Sequence, residues 1–268
     1  MPGRGGQPGA FGVSGGTATK MEHGGTGREK KFLVLVDGNS KDLFTTGMLL
    51  QRLDYNVFTT GGAEEALQYL SIAVPAALVT ELLLPTMNGM DLIERVKKDD
   101  RTKGVPIIAL TSMKDPKIEE LSLVAGCAAY LRKPVDPNTL YRTIQHAIEA
   151  TPRHYIRLST CFPVAIADDP FPALAHTEYV SALSENGLFI LTHRPRPVGT
   201  ALTIRFFVYD RPIDVRAIVL YTFTTAGGPL KEPGMGLKFV EMADGDRRFI
   251  QSFIRDQLAG DILPPAAG

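Results

Sequence analysis

Two groups of side chains carry the chemistry this chain offers. In its first half, Asp37, Glu81, Thr111 and Lys133 each stand at the end of an apolar run: FLVLV, AALVT, VPIIAL and AAYLR respectively. If those runs are neighbouring parallel strands, an acid pair, a hydroxyl and an ammonium group converge on one rim. Sites in such sheets form outside the carboxyl ends of the strands. Past the middle of the chain, Arg153 and Arg157 form an R-x-x-x-R pair in a loop-like stretch after Thr151-Pro152. Two guanidinium groups at that spacing grip phosphates or stack on a flat base.

The elements that must position the first group are legible from periodicity. Apolar runs at Phe32–Gly38, Asn56–Thr60, from Ala76, Val105–Ser112 and Ala128–Pro134 alternate with helical patterns at Ser40–Leu53, Gly62–Leu70, Gly89–Lys98, Lys117–Gly126 and Asn138–Ala150. Ser40 is the expected N-cap of the first helix. The strand runs are continuous instead of alternating, which indicates burial on both faces. That predicts a doubly wound α/β fold, a five-stranded parallel sheet with helices on both sides. After Ala150 the texture changes to short β-type runs, CFPVAIA, YVSALSENG, LFILTH, ALTIRFFVYD, IDVRAIVLYTFT and MGLKFVEM, punctuated by Pro, Gly, Asp or Asn. They predict an all-β, six-stranded antiparallel barrel closed by one C-terminal helix, DGDRRFIQSFIRDQLAG. Phe249, Ile250, Phe253, Ile254 and Leu258 form that helix's apolar stripe, which packs on the barrel or meets the first domain.

Composition sets the outer bounds. Of 26 glycines, 10 fall in the first 30 residues, so residues 1–30 are expected to be a disordered tail that cannot bury enough surface to order itself. The domains are then 31–150 and 151–260, with a second disordered tail at 261–268. Basic and acidic residues balance at 29 each, which argues against bulk binding to nucleic acid or an anionic membrane. No apolar run approaches a membrane span. Two cysteines, Cys127 and Cys161, make no disulfide framework or zinc cluster, and the five histidines lack metal-ligand spacing. Cys127 reads as a buried apolar thiol. No P-loop, Gly-x-Ser-x-Gly or nucleophile–base pair supports an enzyme.

With V-D-G-N, L-L-L-P-T-M-N-G, A-L-T-S and A-Y-L-R-K-P-V in order, residues 31–150 resemble the receiver domain of two-component response regulators. The resemblance implies a cytoplasmic signalling protein in which two acids after the first strand hold Mg²⁺ and an aspartate after the third accepts a phosphoryl group. Asp37 matches the first acid, Thr111 the switch hydroxyl, Tyr130 the switch aromatic and Lys133 the lysine. Gly38 stands in place of the second acid and Glu81 in place of the phosphoacceptor. A missing ligand at Gly38 and a carboxylate displaced by about 1.5 Å at Glu81 make this a degenerate site that disfavours Mg²⁺ and phosphoryl transfer. Glu81 then either extends a permanent anion toward Lys133 and Thr111, imitating the phosphorylated state, or forms an ion pair of structural value only. The resemblance also implies protein partners, or a homodimer, through a face with Tyr130, Tyr141, Arg142 and residues 117–120.

Arg153 and Arg157, then Ser184-Glu185-Asn186-Gly187, then PGMGLKFVEM together resemble the PilZ domain, in the variety common in myxobacteria and their relatives. This family binds cyclic di-GMP. By resemblance Arg153 and Arg157 hold phosphates and guanines, while Ser184 and Gly187 belong to a D/N-x-S-x-x-G motif that reads guanine edges. Ala182 replaces the Asp or Asn of that motif. The loss of one base contact, worth about 1–3 kcal/mol, lowers affinity by one to two decades. Binding remains open, against a barrel that serves only protein interaction. The linker is short, so a ligand held by Arg153 and Arg157 sits at the domain junction. Residues 148–160 are the expected hinge. The combined expectation is a non-catalytic adaptor controlling motility, polarity or surface behaviour, with a scaffold whose sites are both vestigial as the alternative.

Overall fold

The structure, a computed structural model, describes residues 30–167, 178–224 and 232–262. The glycine-rich first 29 residues, residues 168–177 and 225–231, and the last six residues lie outside them.

The first domain is an α/β sandwich. Strands β1 (Phe32–Val36), β2 (Asn56–Thr60), β3 (Ala77–Thr80), β4 (Ile107–Thr111) and β5 (Ala129–Arg132) form one parallel sheet in the order β2-β1-β3-β4-β5. Helices α1 (Ser40–Arg52), α2 (Ala63–Ile72), α3 (Gly89–Lys98), α4 (Pro116–Val124) and α5 (Pro137–Ile148) connect them. Val34, Val36, Leu78 and Ile107 pack on one side of the sheet, and Leu33, Leu35, Val79 and Ile108 on the other. This two-sided burial explains the unbroken apolar runs. The strand order reverses between β1 and β3, and that switch point opens a crevice at their carboxyl ends.

Caps fix the loops around the crevice. Asn39, not Ser40, caps α1: its Oδ1 accepts from the Lys41 N–H at 3.0 Å and the Asp42 N–H at 3.1 Å. Adjacent polar residues left that choice open, and the extended backbone of Asn39 decides it. Asp115 and Asp136 cap α4 and α5, each followed by a proline at the first helical position.

The second domain is a closed antiparallel barrel. Its strands β6 (Leu158–Ile166), β7 (Glu178–Ser184), β8 (Gly187–Leu191), β9 (Ala201–Val208), β10 (Arg211–Phe223) and β11 (Gly234–Met242) run in the order β10-β11-β8-β7-β6-β9. Strict alternation on β9 sends Leu202, Ile204, Phe206 and Val208 inward, and Ile213, Val215, Ala217 and Val219 do the same on β10. Helix α6 (Asp244–Ala259) buries Ile250, Phe253, Ile254 and Leu258. It also lies against α1 and α5, so the cores of the two domains merge into one apolar cluster. The chain stays ordered past the expected start of the C-terminal tail. Asp261 and Ile262 form a turn, with the Ile262 N–H on the Ala259 carbonyl at 3.1 Å. Among the described residues no helix is long and apolar enough to cross a membrane.

Candidate functional site

The carboxyl rim of the sheet brings Asp37, Glu81, Thr111 and Lys133 together. Lys133 is the hub. Its ammonium group contacts the Asp37 carboxylate, Asp42 Oδ2 at 3.0 Å and Glu81 Oε2 at 3.0 Å. The side chains of Asp37 and Glu81 are only 2% and 6% exposed, so these are buried charges that need a partner. Asp42 is the unforeseen member. In sequence it reads only as an acid in a first helical turn, where the helix dipole accounts for it.

Glu81 is engaged at both oxygens. Oε1 accepts from the Leu82 N–H at 2.6 Å and the Leu83 N–H at 3.2 Å. Oε2 accepts from the Ser112 N–H at 3.1 Å in addition to Lys133, and the Thr111 hydroxyl also donates to this carboxylate. Burial is the largest influence on Glu81 and pushes its carboxyl up. Hydrogen bonds from Thr111, Lys133 and Leu83 outweigh it and hold the group below the ordinary glutamate value. Asp37 goes the other way: burial raises it, and its bonds to Lys133 and the Asn39 N–H do not compensate. Burial lowers Lys133, but the three carboxylates around it raise it further. The resting charge pattern is an ionised Glu81 held by an ammonium group.

The same bonds fasten the loop after β4. The Met113 N–H donates to Thr111 Oγ1 at 3.2 Å, and the Tyr130 hydroxyl donates to the Met113 carbonyl at 2.8 Å. Glu81, Thr111 and Tyr130 therefore grip Ser112 and Met113 from both sides.

These side chains do not fit a divalent cation. Gly38 supplies no side-chain oxygen, and a Cβ there would meet Pro85 Cδ at 2.8 Å. The Lys133 ammonium group bridges Asp37 and Glu81, and the Glu81 oxygens are committed to backbone N–H groups. Among the described residues no group of three His, Cys, Asp or Glu is arranged to hold a metal.

The second site is a cleft of about 310 Å³ between the domains. Arg153, Arg157, Ser159 and Ala182 line it from the linker and barrel, Arg52, Asp54 and Tyr141 from the first domain, and Gln257 from α6. The linker is pinned beneath it. The Arg153 N–H donates to Gln145 Oε1 at 3.2 Å, and Gln145 Nε2 donates to the Tyr55 hydroxyl at 2.8 Å. Neither Arg153 nor Arg157 has an acidic partner among the described residues. The Ala182 methyl faces this space opposite Ser159 in the β6–β7 ladder, and Ser159 brings a hydroxyl that sequence reading passed over.

Three expected site residues have other roles here. Ser184 and Gly187 do not line the cleft. The Ser184 hydroxyl donates to the Gly187 carbonyl at 2.9 Å, closing the β7–β8 turn. Gly187 permits β11 to approach, since a Cβ would lie 2.2 Å from the Leu237 carbonyl oxygen. Glu185 and Asn186 of the same turn anchor α6 through Gln251 and Arg247. Tyr141, expected on an open partner face, is 5% exposed and lines the cleft. Arg142 and Glu120 remain exposed on α5 and α4. Cys127 is buried as expected, and burial pushes its thiol up to about 11.

Comparison with known proteins follows this division. Residues 33–145 match the response regulator receiver domain, and residues 151–256 match the PilZ domain. The chain is 34% identical over 116 residues to an uncharacterized 14.6 kDa protein of Leptolyngbya boryana, covering 43% of this chain and 87% of that protein. It is 26% identical over 115 residues to the polar-differentiation response regulator DivK of Brucella anthropi, covering 43% of this chain and 94% of DivK. A putative response regulator from Chloroflexus aurantiacus is 30% identical, with a TM-score of 0.44 over 45% of this chain and 98% of that one.

Proposed function

We propose that this chain, which matches a receiver domain followed by a PilZ domain, is a signalling adaptor whose receiver is held permanently in a signalling arrangement and whose PilZ output reads cyclic di-GMP. The observation that carries the receiver half is the Glu81 carboxylate. It meets the Lys133 ammonium group, the Thr111 hydroxyl and the Ser112 N–H at once, the set of donors that an anion after β3 would recruit. A carboxylate already there leaves no need for a phosphoryl group, and the donor set offers Mg²⁺ no seat. The fastened Ser112–Met113 loop and the inward-bonded Tyr130 are the physical form of the fixed state. Incubation with acetyl phosphate and Mg²⁺, followed by intact-mass analysis, is expected to leave the mass unchanged. A stoichiometric +80 Da adduct on Glu81 overturns this half.

The PilZ half is supported by Arg153 and Arg157 beside one cleft, neither having an acidic partner among the described residues. Calorimetric titration with cyclic di-GMP tests it, and the expected affinity is micromolar, weakened by the Ala182 methyl. Hydrogen exchange over residues 148–160 should slow on binding, because the linker is one wall of the cleft. A specific observation favours a second reading, a scaffold for protein partners alone: Ser184 is spent on its own turn. Absence of heat at tens of micromolar protein selects that reading. The regulated process, on the family resemblance, is motility, polarity or surface behaviour.

A further inference from the structure

The cleft has a third arginine, and it comes from the receiver. Arg52 is the last residue of α1 and lines the same space as Arg153 and Arg157 of the linker. Its guanidinium group is already in use. Nη1 and Nη2 make a two-pronged pair with Asp261 at 2.5 and 2.8 Å, and Nη1 also donates to the Leu258 carbonyl at 3.0 Å. Both acceptors belong to the end of α6. The pair is therefore a strap between the receiver and the helix that closes the barrel.

The fork geometry that holds a carboxylate is the one that holds a phosphate. The Asp261 side chain is 68% exposed and sits just past the end of α6, so it can swing away without unfolding anything. The Leu258 carbonyl keeps Arg52 aimed when it does. Asp54, the single acid among the lining residues, is engaged by Lys30 at 2.9 Å. Three arginines lining one small cleft suit a ligand with two phosphates better than the linker pair alone.

We propose that Arg52 is a ligand-binding residue contributed by the receiver domain, and that Asp261 is a built-in competitor occupying the phosphate position on Arg52 until a dinucleotide displaces it. The proposal rests on the reading of the arginine cleft as the cyclic di-GMP site. Displacement cuts the strap, so binding loosens the end of α6 from α1 while tightening the linker. The receiver thereby both completes the site and senses its occupancy.

Titration of the full chain with cyclic di-GMP tests this, using the wild type, Arg52→Ala, Asp261→Asn, the double variant and Arg153→Ala. Arg52→Ala should weaken binding by about tenfold or more, the scale of a lost charge-assisted bond. Asp261→Asn should tighten it by about two- to fivefold, the scale of an exposed ion pair. The Asp261→Asn gain should vanish when Arg52 is alanine. Hydrogen exchange at residues 258–262 should rise on ligand addition in the wild type. Wild-type affinity in both single variants, with binding lost in Arg153→Ala, overturns the proposal and leaves the cyclic di-GMP reading intact. No binding by any variant, Asp261→Asn included, overturns both.

Discussion

Replacing Lys133 by methionine tests whether the rim is held as the structure implies. The substitution keeps the length of the stem and removes the one cation that, among the described residues, pairs with Asp37, Asp42 and Glu81. Asp42 is 37% exposed, so water screens it, but Asp37 and Glu81 are nearly sealed and are left as uncompensated charges. Removing one member of a buried pair costs about 3–5 kcal/mol. At about 3 °C per kcal/mol, the receiver's melting temperature should fall by about 10–15 °C near pH 7.5. The pH dependence follows from the signs. In the wild type, the raised Lys133 contributes fully below its unfolded value of 10.5 and loses that contribution only as pH climbs through the folded value. The lowered Glu81 contributes above 4.5 and loses it as pH falls through its folded value. The raised Asp37 works against stability above 3.8, and the loss is recovered as pH falls. Without Lys133 both acids are raised, so the variant's deficit should shrink between pH 7.5 and pH 5. Adding Glu81→Gln to the variant removes one orphaned charge and should restore about 1–3 kcal/mol. Calorimetric melts of all three proteins at both pH values read this out. A variant melting within about 2 °C of wild type at pH 7.5, or a deficit that grows on acidification, refutes the reasoning.

Two further outcomes follow from single contacts. Tyr130→Phe deletes the bond to the Met113 carbonyl and should cost about 0.5–1.5 kcal/mol, with faster hydrogen exchange at residues 112–114 as the specific readout. Gly187→Ala places a methyl 2.2 Å from the Leu237 carbonyl oxygen, and urea denaturation should show a loss of about 1–3 kcal/mol in the barrel.

The parts of this molecule legible in sequence are those encoded by neighbours in the chain. Both domains, every sheet element of the receiver and the rim quartet followed from apolar runs and what ends them, because burial on two faces writes a continuous run and burial on one writes an alternation. Contacts between distant segments left no such trace. Arg52 and Asp261 are 209 residues apart and look like an ordinary helix-end cation and a tail acid. Tyr141 sits on a helix whose apolar stripe announces burial without saying against what. Ser184 and Gly187 are a different case. The spacing S-x-x-G is spelled alike by a ligand-reading wall and by a tight hairpin whose serine caps its own turn, and only the position of the cleft separates them.

Helix α1 ties the two sites into one mechanical unit. Asp42, in its first turn, is held by Lys133 at the rim, and Arg52, its last residue, lines the cleft. The ten-residue step from Asp42 to Arg52 spans about 15 Å of regular helix, which moves as a rod. The receiver's charge cluster therefore grips one end of the element whose other end carries an arginine of the cleft. A substitution that removes Lys133's hold on Asp42 is expected to shift Arg52 relative to Arg153 and Arg157, which a changed cyclic di-GMP affinity in the Asp42→Asn variant would read out. On the proposed reading, a receiver that takes no phosphate still has a use in such a design, since a rim clamped by Glu81 sets the position of α1 and with it one wall of the arginine cleft.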